Sequence, residues 1–167
     1  MIRIERLKKD DLPAFHNLLL KVFDDGFSYY PIIAQRYNKN HWSIKRIDEY
    51  LNNEDFLLLT AWDKNVQVGY LIGKYFQPNK SVILWLGVIG TRRGMGVGTK
   101  LVKRWELWSK GKGAETLKAS TANFENERFY ESLGFKKSSR IVKNDWGMKK
   151  IVFVKEIYFD SHQKSTF

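Results

Sequence analysis

The sequence predicts an α/β (α+β) fold, a mixed sheet with helices packed on it, and three observations predict it. Short apolar and β-branched runs alternate with stretches whose apolar residues recur at helical spacing. One run in the middle, Ser81 to Val88, is nearly all apolar, as suits a central strand covered on both faces. The chain has 167 residues with no Pro/Gly/Ser-rich linker, internal repeat or low-complexity stretch, so one domain is expected. The pattern counts about six to seven strands flanked by about four helices.

In order, Ile2, Ile4 and Leu7 mark a first strand. Lys9-Asp10-Asp11-Leu12-Pro13 reads as a helix start, with acidic residues and proline in the first turn. Phe15, Leu18, Leu19 and Val22 then form one helical stripe. Residues 26–42 are tyrosine-rich without clean periodicity, and a second helix is expected over 43–52. Phe56 to Trp62 and Val66 to Phe76 read as a hairpin across the turn Asp63-Lys64-Asn65. Ser81 to Val88 follows, with Gly87 inside it, a residue that marks a bulge or a close approach. A long helix is expected over 94–109, with Val97, Leu101, Trp105 and Trp108 on one stripe. Then come a strand at Thr116–Thr121, a short helix at Glu125–Leu133, and strands at Arg140–Lys143 and Ile151–Ile157 joined across Asn144-Asp145-Trp146-Gly147. The domain is expected to span 1–158, and 159–167 to be a short polar tail.

Composition narrows the chemistry. There is no Cys, which excludes disulfides, thiolate metal sites and a cysteine nucleophile. His16, His41 and His162 match no metal-ligand spacing, so no metal is expected. No apolar run approaches the ~20 residues of a membrane span, and Met1 to Arg6 alternates apolar with charged residues, unlike a signal peptide. A cytoplasmic location and no membrane partner are the expectation. Net charge is +11, and it is concentrated: residues 92–118 hold 8 basic against 2 acidic groups, and 136–155 hold 7 against 1. Such a field attracts a polyanion, whether nucleic acid, an acidic protein or a polyphosphate cofactor.

The stretch Gly90-Thr91-Arg92-Arg93-Gly94-Met95-Gly96-Val97-Gly98-Thr99 chooses among these. A buried strand ends, and a glycine-dense turn opens an amphipathic helix. Free N–H groups and the helix dipole place partial positive charge there, glycines let phosphate oxygens reach the backbone, and Arg92 and Arg93 add cations. On its own this is a generic anion site. It lacks the Gly-Lys-Ser/Thr of a P-loop, and its glycines are spaced two and two, which misplaces the third glycine of a Rossmann fingerprint.

Arg93-x-x-Gly96-x-Gly98 resembles the Gln/Arg-x-x-Gly-x-Gly/Ala signature of the GNAT superfamily of N-acetyltransferases, with Leu86, Val88 and Leu101 in keeping; Gly90 stands where many members have proline. Downstream, Asn123-Phe124-Glu125-Asn126-Glu127-Arg128-Phe129-Tyr130-Glu131-Ser132-Leu133-Gly134-Phe135 looks like the second conserved segment of that family. The resemblance implies a mixed, mostly antiparallel sheet. It implies acetyl-CoA as co-substrate, its pyrophosphate on the amides of Arg93, Gly94, Met95, Gly96, Val97, Gly98 and Thr99. It further implies that Leu86 and Val88 offer backbone groups to the pantetheine arm, that Asn123 and Asn126 lie along the cofactor, and that Tyr130 stands near the thioester sulfur as the catalytic donor. Acetyl transfer to a primary amine of a small molecule, peptide or protein is the implied reaction.

A carboxylate base is absent from the strand before the loop, where many relatives carry one. Asp24, Asp25 and Tyr75 are the substitutes within reach of this reading, and a non-catalytic acyl-CoA-binding domain is an alternative. Tyr29, Tyr30, Trp85 and Trp146 are expected to shape the acceptor groove, and a bulge near Gly87-Val88 to supply an oxyanion donor. Nucleic-acid or ribosome association through the basic surface is the remaining alternative, although no helix-turn-helix, zinc finger or RNP pattern is present. The C-terminal hairpin offers an edge for a homodimer.

Overall fold

Strand alternation and helical stripes assemble into one sheet with a hydrophobic core on each face. The structure, a computed structural model, describes residues 1–157, without the side chains of 139–141. The polar tail expected at 159–167 lies outside the described residues. The strands are β1 (Ile2–Arg6), β2 (Phe56–Asp63), β3 (Val66–Phe76), β4 (Lys80–Val88), β5 (Thr116–Thr121), β6 (Lys136–Lys143) and β7 (Lys149–Glu156). The helices are α1 (Leu12–Gly26), α2 (Ile32–His41), α3 (Ile44–Leu51), α4 (Val97–Gly111) and α5 (Glu127–Ser132). The sheet order is β1-β2-β3-β4-β5-β7-β6, antiparallel throughout except for the parallel pair β4–β5. Among the described residues, no helix is long and apolar enough to cross a membrane.

Successive residues of a strand face opposite sides, so each strand feeds both cores. Leu57, Leu59, Leu71, Ile83, Leu117, Ile151 and Phe153 pack with Val97, Leu101, Val102 and Trp105 of α4 and with Tyr130 of α5. Leu58, Tyr70 and Ile72 pack on the other face with Phe15, Leu18, Leu19 and Val22, the stripe expected of α1, and with Ile47 of α3. Of the α4 stripe, Trp108 is only half-buried, and Ser109 goes inside instead. It can do so because its hydroxyl bonds that of Ser81 at 2.8 Å, which satisfies both buried groups.

Two elements depart from the sequence expectation. Helix α2 buries only Ala34 and leaves Ile32 and Ile33 exposed, so it has no apolar stripe to reveal it. Strand β6 begins at Lys136, four residues before the expected Arg140. As an edge strand it tolerates charged residues, and Lys136 and Lys137 pair with Val154 and Phe153 of β7.

The central break in the sheet positions the site. Strands β4 and β5 pair at only three positions, Lys80–Thr116 to Val82–Lys118, and then separate. The β3–β4 register shifts where Ile72 faces Trp85 and Gly73 faces Ile83, so Leu84 is the extra residue of a bulge. The bulge therefore lies at Leu84 and not at Gly87-Val88. Gly87 answers to close approach instead: a Cβ there would come within 2.6 Å of Val22 Cγ1 and 2.7 Å of Tyr70 Cε1. Neither neighbour is a flexible tip, because both are fully buried. Gly87→Ala is expected to cost about 1–3 kcal/mol by overpacking, read as a lower urea midpoint at unchanged slope.

Candidate active site

The divergence of β4 and β5 leaves the β5-facing edge of β4 unpaired from Ile83 onward and opens a cleft of about 660 Å³ through the sheet. Of the residues expected to hold a cofactor, Leu86, Val88, Arg93, Gly94, Gly96, Val97, Gly98, Thr99, Asn123 and Asn126 line it, as does Tyr130. Met95 does not, and it is 61% exposed.

The loop is built for an anion. Gly94 and Gly96 have φ of +72° and +75°, in the left-handed region that favours glycine. Helix α4 starts on Gly96 with no side-chain cap, and its first turn closes with Lys100 N–H donating to the Gly96 carbonyl at 3.1 Å. The amides from Gly94 through Thr99 therefore donate to no described residue. Six successive free donors at a helix N-terminus form an anion-binding nest. An added Cβ at Gly96 meets nothing within 4 Å, so its glycine is required by conformation and not by space. Gly96→Ala should leave the fold intact but bend the nest; with strain of about 1–2 kcal/mol, acetyl-CoA affinity by calorimetry is expected to fall about tenfold.

The arginines are already engaged. Arg92 Nε donates to Asp63 Oδ2 at 2.8 Å, a bond that holds the Asp63 carboxyl below its ordinary range. Arg93 turns back from the loop: its Nε donates to the Val88 carbonyl at 3.1 Å, and its guanidinium fills the space that a side chain at residue 26 would need. Its charge thus faces the C-terminal end of α1.

On the α4 side, Asn123 Oδ1 accepts from Glu125 N–H at 3.0 Å and starts the turn into α5. Asn126 Nδ2 donates to Thr121 Oγ1 at 3.2 Å, which also accepts from Asn123 N–H at 3.1 Å. The second motif is thereby locked to the end of β5. Tyr130 is buried, with its ring stacked on Phe153 at 4.9 Å and edge-on to Phe129 at 5.1 Å. Burial pushes its phenol well above the ordinary value. Its hydroxyl bonds no described residue.

On the opposite face, Tyr29, Tyr30 and Trp85 line the cleft. The Tyr29 phenol is raised by burial, further raised by Tyr30 and Tyr130, and opposed by Arg93, which places it within electrostatic reach of all three. Trp146 stands outside, against Tyr37 at 5.5 Å. The substitute bases lie elsewhere too. Asp24 is paired with Lys39, and neither Asp24 nor Asp25 lines the cleft. Tyr75 sits near the far end of β3, its hydroxyl donating to the Pro78 carbonyl. Among the described lining residues, Glu125 is the sole carboxylate. Lys150 lines the cleft and was not foreseen; its signal was the strand alternation around Ile151 and Phe153.

Comparisons with known proteins agree with this geometry. The PaiA N-acetyltransferase of Thermoplasma acidophilum, solved with coenzyme A, superposes with a TM-score of 0.79 at 19% identity, over 94% of this chain and 99% of that one. The ribosomal-protein-S18-alanine N-acetyltransferase of Escherichia coli gives 0.71 at 18% identity over 100% of both chains. An aminoglycoside 6'-acetyltransferase type Ii gives 0.71 at 20% identity, over 92% of this chain and 96% of that one. No curated protein matches the chain in sequence. The sequence profile of the acetyltransferase (GNAT) family, however, matches residues 14–135, which hold most of the first helix, the split strands, the glycine loop and Tyr130, and so the chain belongs to that family of acyltransferases.

Proposed function

We propose that the protein transfers an acetyl group from acetyl-CoA to a primary amine by direct attack in a ternary complex. The observation that carries this is the run of free amides from Gly94 to Thr99, set beside the unpaired edge of β4. The nest suits a pyrophosphate, and the strand edge suits the amide groups of a pantetheine arm, which add to it as a further strand would. The acyl group then lies where the sheet opens, between Tyr130 on one face and Tyr29 on the other.

The amine nitrogen attacks the thioester carbonyl carbon, and a β4 backbone N–H stabilises the oxyanion. Collapse breaks the C–S bond, and the thiolate leaves toward Tyr130. The proton from the attacking nitrogen passes to water, because the described lining holds no carboxylate besides Glu125, which lies on the cofactor side with Asn123. The test is calorimetric titration of acetyl-CoA followed by free-thiol release across a panel of amines. Binding with amine-dependent release is the expected result. Binding without release from any amine removes the transfer reaction, and salt-sensitive affinity for DNA or RNA without CoA binding replaces the reading altogether.

A further inference from the structure

Strand β7 places one lysine in the cleft. Its odd-numbered residues face α4: Ile151 and Phe153 enter that core, and Lys155 Nζ reaches Glu106 of α4 at 2.8 Å. By alternation Lys150 faces the other side of the sheet, with Tyr29, Tyr30 and Trp85. This is the face away from Tyr130 and the second motif, and hence the side from which an acceptor meets the acyl group. Arg93 presents its guanidinium to the same face, against Gly26.

The charge at this end is one-sided. Two cations, Lys150 and Arg93, meet no carboxylate among the described lining residues there. Glu125 belongs to the cofactor side, Asp24 is held by Lys39, and Asp145 is the acidic group felt by Lys150 from the adjoining turn without lining the cleft. The Lys150 ammonium makes no hydrogen bond or ion pair with a described side chain or carbonyl, whereas its backbone pairs with Val142 of β6. An amine acceptor is itself a cation before it loses its proton, so this end repels it unless something compensates. A polyamine is disfavoured several times over. A negative group on the acceptor turns the same charges into a handle and leaves the amine free to face the thioester.

We propose that the acceptor is a small primary amine that carries an anionic group, carboxylate or phosphate, and that Lys150 binds that group. The inference rests on the acetyltransferase reading above. Partial burial, which holds the Lys150 ammonium below its ordinary pKa, gives the same side chain more to gain from an anionic partner. Tyr29 and Tyr30 add phenol donors, and Trp85 with Phe27 supplies an apolar wall for the body of the acceptor.

Matched acceptors test it by thiol release: β-alanine against β-alaninamide and phenylalanine against phenylalaninamide for a carboxylate, O-phosphoethanolamine against ethanolamine for a phosphate, with spermidine and kanamycin as polycations. In the amino-acid pairs the amide has the less basic amine, so basicity alone favours it at neutral pH. The anionic member of at least one pair is expected to lead in kcat/KM by about tenfold or more, the worth of one charge-assisted contact, and to lead the polycations by more. Which pair leads tells carboxylate from phosphate. Lys150→Met should raise KM for the anionic member and collapse the ratio within that pair toward one. Lys150→Glu should invert the preference toward spermidine. Acetyl-CoA titration of each variant reports an intact cleft. Preference for the amides or polycations in the wild type, or a ratio that survives both substitutions, overturns the proposal while leaving acetyl transfer standing. Thiol release from no amine at all removes acetyl transfer, and this inference with it.

Discussion

Trp105→Ala is expected to destabilise the protein by about 3–5 kcal/mol, the range for truncating a large buried aromatic. Trp105 is the largest fully buried side chain among the described residues, at 0% exposure. It stands on α4 and presses on β3 at Gly73, where a Cβ would lie 2.4 Å from its ring atoms Cδ1 and Nε1. The ring therefore occupies space that any other residue at 73 would claim, and the strand cannot collapse inward to fill the hole. Its Nε1 has no hydrogen-bond partner among the described residues, so no hydrogen bond is lost with the ring, and relief of that orphaned donor draws the cost toward the lower end of the range. For a chain of this length the loss corresponds to roughly 6–20 °C in melting temperature. Urea unfolding checks it. A cost under about 1 kcal/mol would mean that α4 is not seated on the sheet as described. The helix also carries the nest at its N-terminus, so the variant should lose acetyl-CoA affinity at temperatures where the wild type keeps it.

The parts of this fold written in local residue choice were legible in the sequence. Strands β2 to β4 announce themselves by apolar runs and a turn, and α1 and α4 by their stripes. The glycine loop is legible for the same reason, since a left-handed φ at two nearby positions needs glycine, and glycine is visible in the letters. What depends on pairing was not legible. The Leu84 bulge is a property of the β3–β4 register, and of the two things a glycine at 87 could mark, a bulge or a close approach, the letters do not say that it is the second. Tyr75 looked available as a base because a strand position says nothing of which end of the sheet it reaches. Lys150 sits beside Lys149 in a basic run; alternation around Ile151 and Phe153 separates the two by face, but only the pairing of β7 with β5 tells that the Lys150 face opens on the cleft. Helix α2 escaped because a helix that buries one alanine leaves no period to read.

Tyr130→Phe should lower kcat by about 10- to 150-fold, the worth of one hydrogen bond to a charged group, with acetyl-CoA affinity nearly unchanged. The substitution keeps the ring, so the stack on Phe153 and the edge contacts with Phe129 and Phe135 survive. The size of the effect follows from proton affinity. Burial raises the Tyr130 phenol, whereas a departing thiol has an ordinary pKa near ~8.5. Handing the proton over outright would run uphill, so under the proposed mechanism the phenol would steady the thiolate as a hydrogen-bond donor and keep its own proton. Full general-acid transfer would show a larger loss, up to about 10⁴-fold. The sign with pH follows as well. A phenol whose pKa is raised stays protonated as pH climbs through its ordinary value of about 10, so Tyr130 places no alkaline limb on kcat below that point. Stopped-flow thiol release at saturating acetyl-CoA from pH 7 to 10 measures both quantities. Equal turnover in the two proteins removes Tyr130 from the mechanism, and an alkaline fall present in the wild type but absent in the variant would show that the phenol ionises in the working range.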